Sequence, residues 1–337
     1  MYDMGDLIRC LSADEAVGGG LPFKPSVVDL DSFIADDEGP SDEEQMAGVV
    51  DPSGMTPQAL DVTPIREMAV IALDSTAFCL GEIPEGVVGA VRCSLVSSSP
   101  GQERTLESYG PYVFALTNQN RQLIYSNLYR TVFNVEPGGH APTPYFLLHR
   151  IRHLFERKLQ QVVAAEAKDT LVLLDGSLIG GTIANPKESV QTMLKNSREN
   201  RSIAVAVSKH TVLTLRDSER SIASLLDGTT GRCFVTGLRK RISQSQEKYV
   251  GEISVARLAA SGQAFRIDTD PDDPLPVEDI LALVSARVAE DGYPEELRLA
   301  HMTCVFSAIE LLELQAAAMI SYDMHTREDP HSTLFPF

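Results

Sequence analysis

A chain of 337 residues with 43% hydrophobic side chains can bury one large α/β core, which excludes wholesale disorder. Its five cysteines (Cys10, Cys79, Cys93, Cys233 and Cys304) are odd in number, far apart and without a C-x-x-C pair. This argues against a disulfide framework and a zinc knuckle, and fits a reducing cytoplasm. A net charge of −18 excludes the broad basic footprint on which free-standing DNA affinity rests, although Asp29, Asp31, Asp36, Asp37, Glu38, Asp42, Glu43 and Glu44 concentrate part of the acid in one stretch.

Residues 1–66 are rich in Gly, Pro, Asp and Ser and show no sustained period, which predicts an acidic arm, largely extended or disordered. Its short apolar pieces are Leu7-Ile8 and Phe33-Ile34, and Gly18-Gly19-Gly20 follows no strand. The start of the chain lacks the basic-then-apolar pattern of a secretory leader. A main domain is expected over 67–320. Met68 to Leu73 is a continuous apolar run ending in Asp74, as in a strand buried on both faces. Val87–Val96 and Tyr112–Leu116 read as further strands, and Leu123–Phe133 fits a strand or a helix. Thr143-Pro144 opens a helix whose Leu148, Ile151, Phe155, Leu159 and Val162 recur every three or four residues, up to about Lys168. Leu171–Leu174 is a buried strand ending in Asp175-Gly176. A helix over 187–199 and a strand over Ile203–Val207 follow. Then come a helix near 216–226, strands near 249–257 and 263–268, a helix from about 277 and a long helix from Pro294 to Ile320. The most apolar run, Leu311–Ile320, carries Glu313 and is too short to span a bilayer, so no membrane partner is expected. A tail over 321–337 ends in Leu334-Phe335-Pro336-Phe337. An antiparallel meander feeding parallel strands through crossover helices is the plan of an RNase H-like core.

Chemistry is expected where two buried strands stop at Asp74-Ser75 and Asp175-Gly176. Strand carboxyl ends open onto crevices in α/β sheets. Neighbouring aspartates repel one another unless a proton or cation lies between them, and oxygen-only ligands favour Mg²⁺ or Mn²⁺. Either aspartate alone could equally cap the turn that follows it. Glu156 lies roughly 18 Å of helix before Lys168, and Asp175 roughly 17 Å of strand after Thr170, so a helix folding back onto its strand brings the two level. Glu166 would then sit at the opposite end. The alternative for Glu156 is a surface ion pair with Arg152. His301, two turns into the last helix, reads from spacing alone as a packing residue. Arg150 to Lys158, Arg198 with Arg201, and Arg239-Lys240-Arg241 are basic clusters that suit either phosphate tracking or solvated faces. No P-loop, H-E-x-x-H or G-x-S-x-G occurs.

This pattern resembles the NurA family over about residues 68–315. The matching segments are Asp74-Ser75-Thr76, Glu156, Leu173-Leu174-Asp175-Gly176-Ser177-Leu178, Lys209 in Ala-Val-Ser-Lys, and Gly292-Tyr293-Pro294 with Ala300-His301. Ser75 stands where the family has glycine. The resemblance implies an RNase H-like, Mn²⁺-dependent (or Mg²⁺-dependent) homodimeric nuclease acting on DNA ends beside the HerA hexameric ATPase. It also implies a metal site of Asp74, Glu156, Asp175 and His301, with Tyr293 beside it and Lys209 neutralising charge on the phosphate. The rival expectation is a catalytically silent subunit that docks on the ATPase and regulates it.

Overall fold

The computed structural model describes residues 2–326 except 12–20, 27–47, 64–65, 183–184, 217, 219 and 244–245. In chain order the elements are α1 (Gly5–Leu11), β1 (Leu21–Pro25), β2 (Gly48–Val50), β3 (Gln58–Ala59), β4 (Ala69–Ile83), β5 (Gly86–Ser98) and β6 (Thr105–Thr117). There follow α2 (Arg121–Phe133), α3 (Pro144–Glu166), β7 (Thr170–Asp175), α4 (Lys187–Glu199), β8 (Ile203–Ser208), β9 (Leu213–Leu215) and β10 (Cys233–Val235). The last are β11 (Glu252–Arg257), β12 (Ala264–Thr269), α5 (Val277–Ser285), α6 (Glu295–Cys304), α7 (Ala308–Ser321) and β13 (Met324–Thr326).

Eleven strands form one mixed sheet, in which β4, β5 and β6 make the antiparallel meander, and β7 and β8 lie parallel to β4 and to each other. The apolar runs of β4, β7 and β8 are buried on both faces, as parallel strands covered by helices must be. On one face Leu73, Val172, Leu174, Ala204 and Ala206 join Leu148, Ile151, Phe155 and Leu159 of α3. On the other, Val70, Ala72, Leu171, Leu173, Val205 and Ile267 meet α5 and the Leu297 and Ala300 side of α6. Each fully buried Leu, Ile or Phe contributes about 1.5–3 kcal/mol relative to exposure. The expected helical stripe of α3 is therefore what seats that helix on the sheet, with Val163 buried and Val162 only half-buried at its end.

Several expectations need correction. The first strand does not end at Asp74: β4 continues to Ile83, because β5 pairs with it along its whole length. On its other edge β4 pairs with β7 over Ala69–Leu73 and with β1 at Gly81 and Glu82. Between those two neighbours a stretch of β4 edge opens to a cleft. Leu123–Phe133 is helical, with Ile124, Tyr125 and Leu128 buried. The helix near 216–226 is only a short 3₁₀ turn, Ile222–Leu226. The C-terminal helix spans the expected region but is interrupted at Val305, Phe306 and Ser307, where Ser307 and Glu310 form a reciprocal capping box for α7. By length and composition alone, Glu295–Ser321 is long and apolar enough to cross a membrane, a test that buried core helices also pass. Its first half is docked on β4 and β5, with Leu297, Ala300 and Cys304 buried.

The described parts of the arm pack against the domain as one short helix and three strands. Leu7 and Phe23 are fully buried, as is Val50, and β1 and β3 extend the sheet. Local composition reads polar there because only a few apolar residues anchor each piece. Phe33-Ile34, the acidic stretch 29–44 and Leu334-Phe335-Pro336-Phe337 lie outside the described residues.

Candidate active site

Parallel pairing brings the carboxylates together. Leu73 of β4 is in register with Leu174 of β7, so Asp74 and Asp175 come next on adjacent strands. Asp175 is in turn level with Val207 of β8, which puts Ser208 and Lys209 just beyond it. Gly176 follows at φ 103°, a left-handed conformation that glycine adopts without strain, and it turns the chain away at the cleft floor. The cleft, of about 1360 Å³, is lined by Asp74, Glu156, Asp175, Lys209 and His301 among others. Tyr293 lies behind them, 5% exposed, with its hydroxyl 3.4 Å from Asp175 Oδ1. All six expected residues thus occupy one region of the molecule.

Each side chain is held. Lys209 Nζ donates to Asp175 Oδ2 at 3.0 Å and sits 5.2 Å from the centre of the Tyr293 ring. His301 Nδ1 is 2.8 Å from Asp74 Oδ2, and the Ser75 amide donates to Asp74 Oδ1 at 2.7 Å. Ser75 Oγ donates to Glu156 Oε2 at 2.5 Å, and Gln160 Nε2 donates to Glu156 Oε1 at 3.0 Å. Ser75 thereby links the β4 carboxylate to the helical one. Glu156 lines the cleft and leans on β4 rather than on β7, because α3 packs chiefly over β4 and β5. Arg152 donates to the Ser75 carbonyl at 3.3 Å and contributes a nearby positive charge. Glu166 is exposed at the far end of α3, near Tyr2.

Burial, reinforced by Asp74, pushes the Glu156 carboxyl up to about 7, against the pull of Arg152 and the Ser75 hydrogen bond. Burial and Asp74 likewise raise Asp175 to about 6, while Lys209 and His301 pull it down. The hydrogen bond to Asp74 raises His301, and burial opposes the rise. In the protein stripped of metal, the folded state then binds more protons than the unfolded chain, in which these carboxyls titrate near 4. That contribution to stability is complete below about pH 4 and is lost as pH rises through about 7, by roughly 3–4 kcal/mol for Glu156. Thermal melts in chelator are expected to fall across this window, and Glu156→Gln to flatten the fall. A wild-type melting temperature that climbs with pH over the same range would refute the assignment.

Among the described residues, the one trio of potential ligands with donor atoms all within 4.8 Å of one another is Asp74, His301 and Cys304. Cys304 escaped sequence reading because it sits among core residues; its spacing of three from His301 on one helix was the available signal. Gln160, buried one turn beyond Glu156, also had no motif to mark it. Of the basic clusters, only the one on α3 faces the cleft, through Arg152 and Arg157, joined there by His149, His153 and His210. Arg198 pairs with Asp270 and Arg201 with Asp169, while Arg239 and Arg241 hydrogen-bond to the carbonyls of Val250 and Ser53.

No protein-family model and no curated protein matches the chain. Among solved structures, the NurA nuclease from Sulfolobus solfataricus matches at 17% identity and TM-score 0.50, covering 79% of this chain and 87% of that one. Endonuclease V from Streptomyces avermitilis matches at 12% identity and TM-score 0.37, covering 77% and 88% of the two chains. The catalytic domain of human endonuclease V matches at 18% identity and TM-score 0.37, covering 72% and 83%. At such identities a likeness speaks for architecture, and the architecture of this chain, a mixed sheet of RNase H-like plan with C-terminal strands and helices, is that of the NurA nuclease.

Proposed function

We propose that this protein is a divalent-cation-dependent nuclease that hydrolyses phosphodiester bonds at DNA ends. The observation that carries the reading is the register of β4 with β7, which sets Asp74 beside Asp175, with Lys209 hydrogen-bonded to Asp175 and Glu156 in the same cleft. The likeness to the NurA fold supports it. The donor set fits a cation: three carboxylates line one cleft, burial and the nearby Asp74 raise the carboxyls of Glu156 and Asp175, and His301 adds a nitrogen. Carboxylate oxygens suit Mg²⁺ or Mn²⁺, and the imidazole tilts the choice towards Mn²⁺. One or two such ions, when bound, would supply Lewis-acid activation of water and of the phosphoryl oxygens.

The chain's own groups would do the rest. Asp74, Glu156 and Asp175 hold the cation, with Ser75 and Gln160 fixing the Glu156 carboxylate and Tyr293 fixing that of Asp175. Lys209 Nζ is placed to neutralise charge growing on the phosphate. Arg152 and Arg157 offer hydrogen-bond donors to the flanking backbone phosphates. We assign the nuclease unit to residues 67–320, whose sheet is extended by strands of the arm (1–66) and of the tail (321–337), and expect it in the cytoplasm.

Partners are inferred from charge and from exposed apolar surface. At −18 the chain repels DNA at long range, so a HerA-like hexameric ATPase that grips and threads DNA would supply the missing attraction. Ile309, Leu312 and Ile320 on α7 are exposed and suit a contact with that motor or with a second copy of this chain.

The test is cleavage of linear DNA with Mn²⁺, with and without the ATPase, beside thermal melts. Cleavage, its stimulation by the ATPase and a metal-induced rise in melting temperature are expected, all lost in an Asp175→Asn protein that stays folded. Binding to the ATPase without cleavage under any ion would favour the silent regulatory subunit instead. A metal-induced rise that survives in Asp175→Asn would put the cation elsewhere.

A further inference from the structure

His301 and Cys304 stand one turn apart on α6, and both turn towards Asp74. Their donors, a carboxylate oxygen, an imidazole nitrogen and a thiol sulfur, lie within 4.8 Å of one another. Around a tetrahedral ion with bonds of about 2.0–2.3 Å, donors stand roughly 3.4–3.6 Å apart, so a modest closure of side chains completes the set. Cys304 is fully buried and Asp74 nearly so, whereas the His301 side chain is 43% exposed and lines the cleft. An ion arriving through the cleft therefore meets the imidazole first, has the sulfur behind it, and keeps a position open towards the cleft. The hydrogen bond now joining His301 Nδ1 to Asp74 Oδ2 marks where the ion would replace a proton.

A mixed oxygen, nitrogen and sulfur set differs in kind from the carboxylates of Glu156 and Asp175. Thiolate ligands select Zn²⁺ and similar soft or borderline ions, whereas Mg²⁺ keeps to oxygen. We propose that Asp74, His301 and Cys304 form a zinc site that shares Asp74 and His301 with the carboxylate site, so that Zn²⁺ held there arrests cleavage. Binding releases the thiol proton to solvent. Only the arrest of cleavage rests on the nuclease reading; the ion site itself stands on the geometry of the three donors.

Co²⁺ serves as the spectroscopic probe, titrated into the full-length protein. The expected result is a sulfur-to-cobalt charge-transfer band with visible bands of tetrahedral intensity, removed by Zn²⁺ and untouched by excess Mg²⁺. Cys304→Ser should lose the charge-transfer band, and Cys304→Ala serves if serine is not tolerated in that apolar position; Cys79→Ser should keep it. No thiolate band in the wild type, a band that persists in the Cys304 variants, or displacement by Mg²⁺ as readily as by Zn²⁺ would overturn the site. Mn²⁺-supported cleavage that continues with the site saturated in Zn²⁺ would overturn the sharing of Asp74 and His301. A thiolate band in a protein that cleaves no DNA with any ion keeps the zinc site and removes the nuclease reading, whereas cleavage without the band does the reverse.

Discussion

Glu156→Gln is expected to lower DNA cleavage by roughly 10²–10⁴-fold, the range for removing a group that acts directly at the reacting centre. The substitution keeps the size of the side chain and one of the two acceptor oxygens that Ser75 and Gln160 address, but removes the charge a cation needs. Glu166→Gln, on the same helix but exposed at its other end, should leave the rate unchanged. Stability separates loss of chemistry from loss of fold. Because the wild-type carboxylate is forced to ionise in a buried position, Glu156→Gln should raise the melting temperature of the metal-free protein above about pH 7. A variant that is both slower and more stable is the signature of a group strained for function. If Glu166→Gln were the damaging change, the position of α3 over β4 would not be what sets the site.

The largest loss of stability is expected at Arg266. Its guanidinium and the Asp268 carboxylate are both about 1% exposed and form a two-pronged ion pair, with Nε to Oδ1 at 2.8 Å and Nη2 to Oδ2 at 2.7 Å. Asp268 Oδ2 also accepts the Leu178 amide at 3.0 Å, which tethers the loop leaving Asp175 to β12. Arg266→Met should cost about 3–5 kcal/mol, because it strands a buried carboxylate rather than because the pair is worth that much. The double change Arg266→Met with Asp268→Leu should recover part of the loss in denaturant unfolding. A single variant within about 1 kcal/mol of wild type would show that Asp268 finds another partner or a proton.

Much of the architecture was legible in the sequence because it rests on local periodicity. The apolar runs of β4, β7 and β8 cannot be other than buried strands, and the stripe from Leu148 to Leu159 cannot avoid facing a core. Helix-against-strand lengths alone were enough to prefer Glu156 over Glu166, since rise per residue is a property of the backbone. Properties that depend on a neighbour in space were not legible. Whether a strand stops at Asp74 depends on β5, which pairs past it; whether an arm rich in Gly and Asp folds depends on cavities that accept Leu7 and Phe23. Apolar runs closing on Asp74 and Asp175, and the helix rise that favours Glu156, single out the candidate carboxylates from the residues alone. Tertiary packing makes Asp74 and Asp175 neighbours, sets Ser75 and Gln160 against Glu156, and stands a core cysteine, Cys304, beside His301. Adjacency is set by strand order and helix docking, and those are governed by the total apolar area buried, a quantity that no single stretch of chain contains.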